Sequence, residues 1–108
     1  MDGMDQVFWG YDFECGKPLD SMLAAFNSGG AWQWKIGDSD VYGDYLKCQP
    51  KEHARIRVYD ARRFWMWRAG DPEGFWAELS CGPGDRAEID QGFLDLLRRV
   101  EASDISQS

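Results

Sequence analysis

The segment Asp38-Ser39-Asp40-Val41-Tyr42-Gly43-Asp44 begins like a calcium-binding loop, with acids at the first and third positions and glycine at the sixth. Such a loop also needs an oxygen ligand at the fifth position and a bidentate glutamate at the twelfth. Here those positions hold Tyr42 and Gln49, and no helix is expected to lead into the loop. The residues read better as an Asx-rich turn linking strand pieces. Asp38, Asp40, Tyr42 and Asp44 then become candidate contact residues of an acidic loop at 37–45, with Tyr45 beside them.

Cys15, Cys48, Cys81 and His53 could nominally make a Cys₃His zinc site. Zinc sites draw on local pairs such as C-x₂-C, and none is present, so no metal is expected. His53 lies five residues from Cys48 in a polar segment with nothing to activate a thiol. No nucleophile elbow, Walker loop, dinucleotide fingerprint or H-E-x-x-H motif occurs. No catalytic residue and no cofactor is therefore expected.

The aromatic set carries more information. The chain has six Trp, six Phe and four Tyr in 108 residues. Trp32 and Trp34 alternate with polar residues, and so do Arg55 and Arg57 with Ile56 and Val58. Residues 64–68 read as a strand with Trp65 and Trp67 on one side, and Trp76 sits on a following strand at 75–81. Two helices can cover only one face of a sheet in a domain this small. A second face bearing Trp65, Trp67 and Trp76 beside Arg55 and Arg57 would be an aromatic–arginine interaction surface, with the guanidinium groups stacked on the indoles. The competing reading is that these rings thicken a small core. An RNA-binding sheet is not expected, because the RNP1 pattern is missing and the chain is acidic.

These residues must be positioned by the elements around them. A strand over 7–14 shows period-two alternation, and Pro18 opens a helix over 18–28 with Leu19, Met22, Leu23 and Phe26 on one face. Strands follow at 32–36, resuming at 45–48, and at 54–59, 64–68 and 75–81; Gly70-Asp71-Pro72-Glu73-Gly74 is a turn. A second helix over 86–101 carries Ile89, Phe93, Leu96, Leu97 and Val100 on one face. Asp85 and Glu88 stand at capping-box spacing at its start. Residues 103–108 read as a frayed tail or a short edge strand, and 1–5 as frayed.

The sum is a single α+β domain over 1–108, in the order β-α-β-β-β-β-α. One mainly antiparallel sheet of four to six strands has two helices on one face. The stretches 7–28 and 75–100 share a strand, Cys-Gly, a proline and a helix. That similarity suggests a ferredoxin-like split β-α-β variant, its two βα strands adjacent and parallel, with Cys15 and Cys81 near neighbours.

Charge bounds the function. The formal net charge is −7, distributed as −6 over 1–46, +5 over 47–68 and −6 over 69–108. Overall acidity disfavours unspecific binding to nucleic acid or anionic membrane. The longest apolar run, 22–26, is far short of the ~20 residues of a membrane span. Three cysteines without a signal-like N-terminus point to the cytoplasm. The expectation is a non-enzymatic binding protein with a protein partner or a second copy of itself. One form is an inhibitor or immunity-type partner of a basic protein. The alternative is a small ligand-binding or enzymatic domain with a pocket at the sheet face or a dimer interface.

Overall fold

The computed structural model describes residues 6–71 and 73–107. The segment 1–5, expected to fray, lies outside the described residues, as do Pro72 of the expected turn and Ser108.

Eight elements build one layer of sheet and one of helix. They are β1 (Val7–Glu14), α1 (Leu19–Gly29), β2 (Trp34–Ser39), β3 (Gly43–Cys48), β4 (Arg55–Asp60), β5 (Phe75–Cys81), α2 (Arg86–Arg99) and β6 (Ser103–Gln107). The six strands form one sheet in the order β2-β3-β4-β5-β1-β6, with every neighbouring pair antiparallel. The α+β class and the element order agree with the sequence reading, with β6 as the added edge strand.

Alternation decides which side chains meet the helices. Trp9, Tyr11 and Phe13 of β1, Phe75, Ala77, Leu79 and Cys81 of β5, and Ile56 and Val58 of β4 are buried in one cluster. The same cluster holds Leu19, Met22 and Phe26 of α1 and Ile89, Phe93, Leu96 and Leu97 of α2. Both helices therefore cover one face. Phe13 and Phe75 stack at 5.5 Å across the β1–β5 pair, with Phe93 edge-on to Phe13 at 6.5 Å.

The paired βα strands are adjacent but antiparallel, which corrects the parallel expectation. Three reversals separate β2 from β5, so these two run oppositely; β2 lies parallel to β1, and β5 therefore opposes β1. Cys81 stands opposite Val7 in register, at the far end of β1 from Cys15. At about 3.3 Å per residue the two cysteines are roughly 25 Å apart, so they are not neighbours. A split β-α-β unit does exist: β5 and β6 run parallel, are joined through α2, and flank β1.

Residues 64–68 are not a strand. The Asp60 carboxylate accepts the Arg62 backbone N–H at 3.0 Å and caps a 3-10 turn at Ala61–Arg63. Further turns follow, with Trp67 N–H to Phe64 C=O at 2.8 Å and Asp71 N–H to Arg68 C=O at 2.9 Å. Ala61 N–H to Gly74 C=O, 2.9 Å, closes the neck of what is an Ω-loop. The expected capping box is also replaced. Asp85 makes no side-chain cap; its carboxylate and that of Glu88 take the Lys51 ammonium at 3.1 and 2.8 Å.

Candidate functional site

The face of the sheet away from the helices divides into an aromatic end and a cationic end. At the aromatic end Tyr59 of β4 stacks on Trp76 of β5 at 4.9 Å and on Tyr45 of β3 at 5.2 Å. Gly37 of β2 makes room for the Tyr45 ring, since a β-carbon there would stand 2.5 Å from it. Tyr42 folds back from the β2–β3 turn onto Tyr59, Trp76 and Phe64, at 5.1, 5.7 and 5.7 Å. Tyr59 is thereby buried, and this half of the face is largely covered within the chain. Burial raises the Tyr59 hydroxyl above its ordinary pKa, with Arg57 beside it pulling the other way.

The segment 37–45 that resembles a calcium loop is a hairpin. Ser39 Oγ accepts the backbone N–H groups of Val41 and Tyr42 at 3.2 and 3.1 Å, and Gly43 takes φ of 70° to re-enter the sheet. Asp38 and Asp44 stand opposite each other across it, and Asp40 is exposed at its tip. Asp44 is engaged by Arg63 of the Ω-loop at 3.4 Å. The Trp65 N–H donates to Val41 C=O at 2.9 Å, so hairpin tip and Ω-loop form one unit. That unit presents Val41, Tyr42, Trp65 and Met66 to solvent, Trp65 being 64% exposed.

The cationic end is a row set by register. Lys35 of β2 faces Lys47 of β3, and Lys47 faces Arg57 of β4. Glu78 of β5 continues the row beyond Arg57. Arg55 stands one pleat away on the same face, opposite Ser80. All four cations are exposed, and among the described residues none closes an ion pair with a carboxylate. The Tyr59 hydroxyl, ahead of Glu78, holds the Arg57 guanidinium more firmly protonated. Like charges directly opposed across a strand pair cost stability rather than add it. The cations line a shallow concavity of about 490 Å³ that also takes in Gln33, Tyr45 and Gln49.

The sequence candidates are thus split. Arg55, Arg57 and Trp76 do share the open face, with Tyr42 folded over it. Trp65 and Trp67 do not, because they belong to the Ω-loop. Trp34 points the other way, into the core against Phe26 at 4.9 Å, and its buried Nε1 has no hydrogen-bond partner among the described residues. Trp32 is half-buried on the helix side, its indole over Gly92 of α2. Arg55 and Arg57 stack on no indole; the cation–π contact among the described residues is Arg86 over Trp9, at 5.0 Å on the helix side. Lys35 and Lys47 were not among the candidates. Alternation puts each on the polar side of its strand, but only pairing brings them together. Cys48 is buried, which pushes its thiol up to about 12; Cys81 is buried too, and His53 is exposed beside Glu52 at 3.7 Å.

No protein-family model matches the chain and no curated protein sequence is similar to it, so its function must be argued from these surfaces.

Proposed function

We propose that this chain is a non-enzymatic binding protein whose working surface is the open sheet face, with the hairpin–Ω-loop tip at its border, and whose partner is another protein. The observation that carries the reading is the row Lys35–Lys47–Arg57, in direct register and closing no ion pair with a carboxylate among the described residues. Like charges opposed in line cost the fold stability, which supports a role for the row outside the fold. Exposed Trp65 and Met66, at the hairpin–Ω-loop tip beyond the aromatic end, have the residue chemistry of binding hot spots. The surface calls for an acidic partner. A basic partner of the inhibitor type would instead use the acidic hairpin, where Asp38 and Asp40 are exposed and Asp44 is already held by Arg63. The three free cysteines favour work in a reducing compartment such as the cytoplasm.

The small-ligand alternative draws on the 490 Å³ concavity, which falls within the size range of ligand sites. Its one thiol, Cys48, is pushed up to about 12 and does not serve as a nucleophile near neutral pH.

The test places a photo-cross-linking side chain at position 47, at position 65, or at position 95 on the solvent side of α2, in cells producing the chain. The proposal expects one protein to be captured from 47 and 65 and not from 95. Capture from 95 alone, or from none of the three, overturns it.

A further inference from the structure

We infer that the cationic row is the seat of an acidic helix, one that carries carboxylates at i, i+4 and i+7 and lies across the strands of the sheet. The inference rests on the open face being the working surface and specifies what occupies it. Adjacent strands are about 4.8 Å apart, so Lys35, Lys47 and Arg57 mark three points in a line spanning about 10 Å. Side chains at i, i+4 and i+7 of a helix lie on one face with neighbours about 5–6 Å apart, and seven residues advance about 10 Å. The two spacings match. An extended peptide lying along the row would present same-side residues about 6.7 Å apart and lose register by the third cation. Glu78 closes the row with the opposite sign, so the complementary helix carries a cation one turn further on, at i+11.

Two other modes of binding fit less well. A peptide could extend the sheet at β2, its edge strand. There the side chain of Asn27 already accepts the outward N–H of Trp34 at 2.7 Å and donates to its C=O at 3.1 Å, which blocks the start of the edge. A phosphorylated ligand would be expected to use backbone N–H groups at a helix N-terminus or a nest as well as cations. Around the row the chain is in paired strands, whose inner amides are spent on their neighbours.

The test uses two synthetic helical peptides of equal composition and helicity. One has Glu at i, i+4 and i+7 and Lys at i+11; the other distributes the same residues around the helix. Each is titrated into the isotopically labelled protein and followed by NMR, with inorganic triphosphate as a third probe. The patterned peptide should move the amide signals of Lys35, Lys47 and Arg57 and bind about tenfold more tightly than its control, the effect of a few exposed charge pairs. Lys47→Glu should remove that preference, and a peptide with Lys at i+4 should restore it. Equal binding of the two peptides, or failure of the charge swap, overturns the acidic-helix inference. So does triphosphate binding more tightly than the patterned peptide at the same residues. If cross-links still map to position 47 while the peptides are not distinguished, the helix falls and the binding face stands; if cross-links fail as well, both fall.

Discussion

Tyr11 of β1 donates its hydroxyl hydrogen to the carboxylate of Asp90 on α2, tying the sheet to the helix above it. The indole Nε1 of Trp9 donates to the same carboxylate oxygen at 2.9 Å, and Arg86 covers the Trp9 ring. Two residues of a buried strand surface, Trp9 and Tyr11, are thus pinned to one turn of α2. Tyr11→Phe should lower stability by about 1.5–3 kcal/mol, the range for a hydrogen bond to a charged group, measured by denaturant unfolding. Burial, with the Asp90 carboxylate adding to it, pushes the Tyr11 hydroxyl up to about 12 from 10.0. Below pH 10 the phenol is protonated folded or unfolded, and it contributes no pH dependence. Between pH 10 and 12 only the unfolded chain releases the proton, so stability falls with rising pH, by about 1.4 kcal/mol per unit. Tyr11→Phe should remove that share of the alkaline slope; a slope unchanged by the substitution would contradict the assignment.

Gly43 joins two requirements at the hairpin. Its φ is 70°, and a β-carbon there would stand 2.8 Å from the carbonyl oxygen of Arg63 in the Ω-loop. Gly43→Ala should destabilise the protein by at least about 1–2 kcal/mol, the cost of a left-handed non-glycine residue. It should also raise hydrogen exchange at the Trp65 amide, which now bonds Val41. A neutral substitution would mean that hairpin and loop are not locked together.

Lys47 sits between two cations in register. Lys47→Glu should therefore stabilise the fold by about 0.2–1 kcal/mol, and the gain should shrink as salt rises. Thermal melts at low and high ionic strength read both effects. A loss of stability would show that the lysine already has compensation within the chain, and the functional reading of the row would lose its basis.

Trp34 and Trp65 should behave oppositely. Trp34→Ala empties a core site beside Phe26 and should cost about 3–5 kcal/mol. Trp65→Ala removes an indole that is 64% exposed and should change stability by no more than about 0.5 kcal/mol. The same Trp65 variant should weaken partner capture at position 47 if the tip borders the binding face. Comparison of melting with capture efficiency separates the two roles.

Much of the architecture was legible because the signals are local. The alternation of Val7 to Phe13 and of Phe75 to Cys81, and the i, i+3, i+4, i+7 spacing of Leu19, Met22, Leu23 and Phe26, need only the chain's own periodicity. Residues 64–68 misled for the same reason. Phe-Trp-Met-Trp has strand composition, but the Asp60 carboxylate four residues earlier captures the Arg62 amide and turns the chain out of the sheet. The Asp-rich stretch 38–44 kept its expected turn, and its contact with Arg63 of the distant loop had no trace in spacing.

The sequence by itself determined the class of fold, the two helices and which side of each observed strand is apolar, because neighbouring residues in one element fix these. Tertiary structure decided the direction of β5 against β1 and the covering of the aromatic half by Tyr42. It also decided the alignment of Lys35, Lys47 and Arg57, which are 12 and 10 residues apart and meet only through strand register. Register is set by hairpin geometry and by the buried face, since a one-residue slip would turn Trp34, Leu46 and Val58 outward. The core thus sets the position of the cations, although none of them belongs to it.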